Sequence, residues 1–325
     1  MTKPDKLKEG DEVRVLAPSR SMAIISQETR EIANSRFKDL GLKLTFSNNC
    51  EISDDFLSSS IEQRIEDLHE AYSDKNVKAI FTVIGGHNSN QLLKYLDYDL
   101  ICQNPKILCG YSDTTALSNA IYHKTGVITY SGPAYSTLGM LKGIDFSLEY
   151  IRKCLFSIKP YEVVNPGQWS DDPWFMDQRN RTFINDEGIK VFNNGRAEGK
   201  ILGGNLCTLN LLQGTEYMPN LADSILFIED DELTFPENFD RDLQSLMHQM
   251  DFNAVQGIVI GRFQKKSKIS EKMLRQILKT KKELAKIPVL YNVSFGHTTP
   301  QICFPIGGSV VLDTASKNKI IIQNH

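Results

Sequence analysis

At 325 residues the chain is long enough for about two domains of ordinary size, each with its own apolar core. Its 37 basic and 40 acidic residues leave a formal charge of −3, too weak a field to gather nucleic acid or an anionic membrane, so neither is expected as a partner. The apolar runs, such as that within residues 78–85, are far too short to span a bilayer. The first six residues lead into charge rather than a signal core, and a cytoplasmic protein is expected.

Residues 9–12 read as a turn and 13–17 as a first strand, closing at Pro18-Ser19-Arg20. A helix over 29–40 stops at Gly41, and 42–46 reads as the next strand. Ser60 and Gln63 fit a capping box, with Ile61, Ile65, Leu68 and Tyr72 following at helical spacing. A strand over 77–84 runs into Gly85-Gly86-His87 and a helix over 91–96. The apolar run that begins after Lys106 ends abruptly in Gly110-Tyr111-Ser112-Asp113, as a strand handing over to a helix does; 114–123 is helical, and 127–130 is a short strand. Alternating strands and helices predict a parallel sheet covered on both faces.

From Pro160 the pattern changes. Residues 165–175 are rich in turn formers and hold both tryptophans, Trp169 and Trp174. The expected organisation is α/β. An N-terminal parallel-sheet domain over 1–165 carries a nucleophile elbow, a tryptophan-containing linker covers 166–195, and a β-rich α/β domain covers 196–325. Tryptophans in a polar, proline-containing loop suit either a lid over a planar ligand or packing across the domain interface.

In the second half, residues 200–205 with Gly203, Gly204 and Asn205 form a strand-to-helix passage into a helix over 206–213. The strand 224–228 ends in four acids, of which Glu229 is placed for a site and the other three are expected in solvent. A helix over 241–250, carrying Arg241, and a strand over 255–261 follow. Residues 262–286 hold ten Lys or Arg against two Glu. Without interleaved aromatics, that stretch predicts a solvated basic helix face rather than a nucleic-acid site. The strand 288–293 opens into the loop bearing His297, and a strand pair over 308–322 closes the chain. The six cysteines lack paired metal-ligand spacing and read as buried free thiols; no metal or cofactor is expected.

A serine at a tight strand-to-helix turn has its hydroxyl thrust out of the sheet edge, while the next N–H sits at a helix N-terminus. Ser112 is therefore the candidate nucleophile, although Ser112 or Asp113 acting only as a helix cap remains open. Glycines at the neighbouring strand end make the Gly86 N–H a candidate second oxyanion donor beside that of Asp113. A serine hydroxyl needs a base, and the base needs an orienting acid. Ser112, Glu229 and His297 supply these in the order Ser, Glu, His, each in a loop after a strand. The elbow departs from Gly-x-Ser-x-Gly, since Thr114 stands where the second glycine would be. A binding protein whose Ser112 and His297 only hydrogen-bond a ligand is the non-enzymatic alternative.

Residues 7–11 and 17–19, Gly85-Gly86 with Ser89-Asn90, Gly110-Tyr111-Ser112-Asp113, Gly203-Gly204-Asn205, Glu229-Asp230, and Gly296-His297 with Pro300 and Pro305-Ile306-Gly307 resemble, in order, the motifs of the LD-carboxypeptidase family of serine peptidases. The resemblance implies a Ser112–His297–Glu229 triad with an oxyanion hole from Gly86 and Asp113. It also implies two domains with the site between them, metal-free amide hydrolysis through an acyl-enzyme, and a homodimer. One branch removes the terminal D-alanine of peptidoglycan tetrapeptides. The other, microcin C immunity, cuts a carboxamide joining an aspartyl residue to a modified adenylate and carries an aromatic insertion that stacks on the base. Chain length and the Trp169–Phe175 loop resemble the second branch, so a small peptidyl- or aminoacyl-nucleotide substrate is expected. Trp174 is then the favoured stacking residue, with Trp169, Asn205 and Arg241 as further candidate contacts.

Overall fold

The computed structural model describes residues 1–325. In its first half, β1 (Glu12–Leu16), α1 (Gln27–Asp39), β2 (Lys43–Phe46), α2 (Ile61–Ser73), β3 (Val77–Thr82), α3 (Tyr98–Gln103), β4 (Ile107–Gly110), α4 (Thr114–Thr125) and β5 (Thr129–Ser131) follow one another. β2, β1, β3, β4 and β5 lie side by side in that order, all parallel. The largely buried, mainly apolar strands β3 and β4 are the pattern of a sheet covered on both faces.

After α5 (Asp145–Ile151) come the short strands β6 (Tyr161–Glu162), β7 (Gln168–Trp169) and β8 (Ile184–Asn185), then β9 (Lys190–Asn193), β10 (Arg196–Asn205), α6 (Leu206–Asn210), β11 (Ser224–Glu229) and α7 (Pro236–Met247). The chain ends with β12 (Gly257–Gly261), α8 (Glu271–Thr280), β13 (Val289–Val293), β14 (Phe304–Ile306), β15 (Ser309–Asp313) and β16 (Ile320–Asn324). The second sheet has the order β6-β16-β15-β10-β11-β12-β13-β9, with β10 to β13 parallel and antiparallel strands at its borders. The expected α/β class, with a parallel N-terminal sheet and a second β-rich unit, is the observed one.

β14 returns to the first sheet, where it pairs antiparallel with β5. This crossing joins the two sheets: the ring of Phe304 on β14 lies 5.0 Å from that of Phe227 on β11, and Phe295 stacks 5.6 Å from Phe227. α4 docks on β10 through Asn119, whose amide donates to Gly203 O at 2.8 Å and accepts from Gly203 N–H at 3.2 Å. A Cβ on Gly204 would overlap the side chain of Thr115 on α4, so the close approach requires glycine there.

The Ser60–Gln63 capping box forms as its spacing predicts. Three helices differ from expectation. The expected helix at 91–96 is only a 3₁₀ turn, Ser89–Leu92, and the regular helix α3 begins at Tyr98, where Asp97 accepts from the Leu100 N–H. α7 starts at Pro236 rather than at 241, because proline suits the first helical turn, and α6 stops at Asn210. All six cysteines are free, but Cys102 and Cys207 are exposed, against the expectation of burial. The basic stretch 262–286 is not wholly solvated either. Arg262 is buried against Asp186, and the Lys281 side chain is buried beside Asp240. No helix is long and apolar enough to cross a membrane.

Candidate active site

The turn after β4 puts Ser112 in a left-handed conformation, φ +61°, an uncommon state for a non-glycine residue and one that aims its hydroxyl outward. Gly85 makes this turn possible: a Cβ there would come within 2.9 Å of Ser112 Cβ. Asp113 caps α4 without a side-chain cap bond. Its carboxylate instead accepts from Ser89 N–H at 2.9 Å, while its carbonyl accepts from Ser89 Oγ at 2.6 Å. The Gly85-Gly86 loop is thereby clamped to the serine turn. The N–H groups of Gly86 and Asp113 donate to no acceptor of the protein.

A second brace comes from α2. Arg64, 2% exposed, donates to the carbonyls of Pro18 and Asn88 at 3.2 and 3.1 Å and to Gln91 Oε1 at 2.8 Å. Ser19 Oγ accepts from His87 N–H at 3.1 Å and donates to Asn88 Oδ1 at 2.9 Å. The loops after β1 and β3 thus form one hydrogen-bonded unit.

From the other sheet, β11 ends at Glu229, whose side chain is 3% exposed. Its Oε2 stands 2.7 Å from His297 Nδ1, and His297 Nε2 stands 3.0 Å from Ser112 Oγ. The three candidate triad residues, scattered along the sequence, therefore form one hydrogen-bonded relay. Burial opposes charge on the imidazole, but the carboxylates of Glu229, Asp231 and Asp230 outweigh it and lift His297 to about 9. Tyr111 packs its ring 5.3 Å from that of His297.

Asp230 corrects the expectation that the acids after Glu229 are solvated: it is 1% exposed. Asn205, paired in register with Glu229, donates its amide to Asp230 Oδ1 at 3.1 Å and caps α6 with its own Oδ1. Burial, reinforced by the charge of Glu229, pushes Asp230 up to about 7. Its position beside a candidate acid was visible in the sequence; its burial depends on the α6 turn and on Asn205.

The candidate substrate contacts separate. Trp174 lines a small recess with Tyr111, Met140, His297, Thr298 and Gln301. Trp169 lies under the guanidinium of Arg262, 5.0 Å from the ring, in a different cavity. Ser170, between them, exchanges two 2.8 Å backbone bonds with Thr299, tying the tryptophan segment to the His297 loop. Arg241, 73% exposed beside Asp242 on α7, makes no contact with the relay. No cluster of three or more His, Cys, Asp or Glu is arranged to hold a metal ion.

A strained serine turn, a histidine backed by a buried carboxylate and two unpartnered N–H groups at the ends of parallel strands define the protein as a serine peptidase of two-domain α/β fold. Residues 13–132 match the LD-carboxypeptidase N-terminal domain and residues 198–312 its C-terminal domain, and the chain belongs to the LD-carboxypeptidase family. It is 51% identical over 321 residues to the putative carboxypeptidase YocD of Bacillus subtilis (strain 168), covering 98% of this chain and 99% of the relative. An MccF-like protein from Bacillus anthracis str. Ames, 54% identical, superposes with a TM-score of 0.98 over 100% of both chains. Microcin C7 self-immunity protein MccF of Escherichia coli is 33% identical over 88% of this chain and 85% of its own. A structure of MccF with aspartyl sulfamoyl adenosine has a TM-score of 0.88 at 30% identity, covering 99% of this chain and 98% of the other.

Proposed function

We propose that the protein hydrolyses a carboxamide next to an anionic group through an acyl-enzyme on Ser112, with a peptidyl- or aminoacyl-nucleotide as substrate. The observation that carries this is the relay Glu229–His297–Ser112, with contacts of 2.7 and 3.0 Å. His297 Nε2 takes the Ser112 proton as Oγ attacks the carbonyl carbon, and Glu229 steadies the imidazolium. The N–H groups of Gly86 and Asp113 receive the oxyanion. His297 then gives the proton to the departing nitrogen, and water activated by the same imidazole releases the acid.

Trp174, beside His297, is the stacking platform for the base in this reading. Asn205 acts through Asp230 and the end of β11, while Trp169 braces the linker against Arg262. Arg241 stands away from the relay and reaches the substrate only if α7 or the ligand brings them together. The likeness to MccF, one of whose structures holds aspartyl sulfamoyl adenosine, supports the nucleotide substrate class. The reading includes a cytoplasmic homodimer divided near residues 165 and 196.

The test offers purified protein an aspartyl sulfamoyl adenosine and a peptidoglycan tetrapeptide side by side. Cleavage of the adenosine compound, lost in Ser112→Ala, is the expected result. Cleavage of the tetrapeptide alone assigns the chain to muropeptide carboxypeptidase activity, and failure of a fluorophosphonate to label Ser112 returns it to a binding role.

A further inference from the structure

One cation beside the oxyanion loop has no partner in the protein. Arg20 follows β1, and its backbone is held on two sides: its N–H donates to Gly85 O at 3.3 Å, and it pairs antiparallel with Ser58, whose hydroxyl donates to Ser19 O at 2.6 Å. The side chain packs beside Gly86: an added Cβ on that glycine would meet the Ser19 hydroxyl first and Arg20 Cγ next, at 3.0 Å. The residue is exposed, and its guanidinium enters none of the ion pairs or hydrogen bonds of the structure. The other arginine bound to these loops, Arg64, is buried and fully engaged by Pro18, Asn88, Gln91 and Ser60. Arg241 stands on α7 beside Asp242.

We infer that Arg20 is a specificity residue that reads the negative charge on the leaving side of the scissile amide. The inference rests on the oxyanion role given above to Gly86. If the substrate's carbonyl oxygen sits at that N–H, the scissile carbon and its nitrogen lie next to Gly86, beside which the arginine is rooted. A D-amino acid leaving group carries a carboxylate two bonds beyond that nitrogen, and an acyl phosphoramidate or sulfamate carries its anionic group on the nitrogen itself. Both are planar or tetrahedral oxyanions that a guanidinium fork matches with paired N–H donors. The chemistry recognised is an oxyanion next to the departing nitrogen, held by a side chain whose backbone is fixed by the oxyanion loop.

The test measures binding to the Ser112→Ala protein by calorimetry, so that it does not need turnover. The probes are aspartyl sulfamoyl adenosine, a tetrapeptide ending in D-alanine, and the same tetrapeptide as its C-terminal carboxamide. Adding Arg20→Ala is expected to weaken whichever anionic probe the protein binds on the order of tenfold to a hundredfold, the range for losing a charge-assisted hydrogen bond. The carboxamide is expected to bind unchanged, and Arg20→Lys to recover part of the loss. Which anionic probe responds separates a carboxylate from a sulfamate or phosphoramidate. Equal weakening of charged and neutral probes, no weakening, or no binding of any probe overturns the inference. Fluorophosphonate labelling of the parent Ser112 is read separately, so a failure of the hydrolytic reading is told apart from a failure of Arg20.

Discussion

Gly296 stands directly against the carboxylate of Glu229: a Cβ at position 296 would overlap Oε2, and the backbone there has φ +94°. The glycine before the histidine therefore lets His297 come down onto its acid. Gly296→Ala meets both a strained backbone and a displaced carboxylate. It is expected to cost about 1–3 kcal/mol of stability and about a hundredfold or more in kcat/KM, read by thermal unfolding and steady-state kinetics. Wild-type kinetics in the variant would remove this contact from the design of the site.

Glu229 is buried and touches His297 Nδ1, so Glu229→Gln keeps the shape while offering the imidazole the wrong partner. A fall in kcat of about four orders of magnitude is expected, the scale seen when a triad acid becomes an amide. Ser112→Ala is expected to abolish covalent labelling altogether. Intact-mass spectrometry after fluorophosphonate treatment reads the second outcome, and stopped assays with substrate read the first.

In the proposed reaction His297 must be neutral to accept the Ser112 proton, yet its surroundings lift it to about 9. The free enzyme therefore gains activity as pH rises, with kcat/KM climbing until about 9. Asp230→Asn removes one of the anions that raise the imidazole, so the rising limb should move to lower pH. The same shift bears on stability with a fixed sign: a folded value above the unfolded 6.5 contributes stability that is fully present below 6.5 and is lost as pH rises through about 9. Activity profiles and an NMR titration of His297 check both, and an activity limb centred near 6.5 would contradict them.

Trp174 shares its recess with His297 and Tyr111. Stacking a base on an aromatic ring contributes about 1–3 kcal/mol, so Trp174→Ala should raise KM for a nucleotide substrate about tenfold to a hundredfold while sparing fluorophosphonate labelling. Trp169→Ala, in contrast, should change stability more than KM, because its ring covers Arg262. An equal KM effect for the two would show that the recess does not define the base site.

Arg262 and Asp186 form an ion pair with side chains 4% and 2% exposed, and Asp186 also accepts from Asn165 and from the Gly188 N–H. Breaking one partner of such a pair leaves a buried charge, which costs about 3–5 kcal/mol. Asp186→Ala is thus expected to lower Tm strongly, whereas Arg241→Ala on the exposed face of α7 should leave it unchanged.

Much of the architecture was legible because its signals are local. The apolar run into Ser112, the Ser60–Gln63 capping box and the stop at Gly41 each depend on residues within a few positions. The order Ser112, Glu229, His297 and its place at strand ends were readable for the same reason, since a loop after a parallel strand faces the sheet edge wherever that strand finally lies.

What the sequence could not decide depends on contacts between distant segments. Asp230 is buried where Asn205, distant in the chain, donates to it, and Arg262 is buried against Asp186, which arrives from another loop. β14 returns to the first sheet while its Phe304 packs against both Phe227 and Phe295, which come from distant parts of the chain. The separation of Trp174 from Trp169, and the packing of Arg20 beside Gly86, follow from how loops pack on one another. Composition and spacing thus determined which elements form and which chemistry they offer. The burial that raises Asp230, and the gathering of carboxylates that raises His297 against its own burial, were decided by the tertiary structure alone, because desolvation and charge proximity depend on everything packed around a group rather than on its neighbours in the chain.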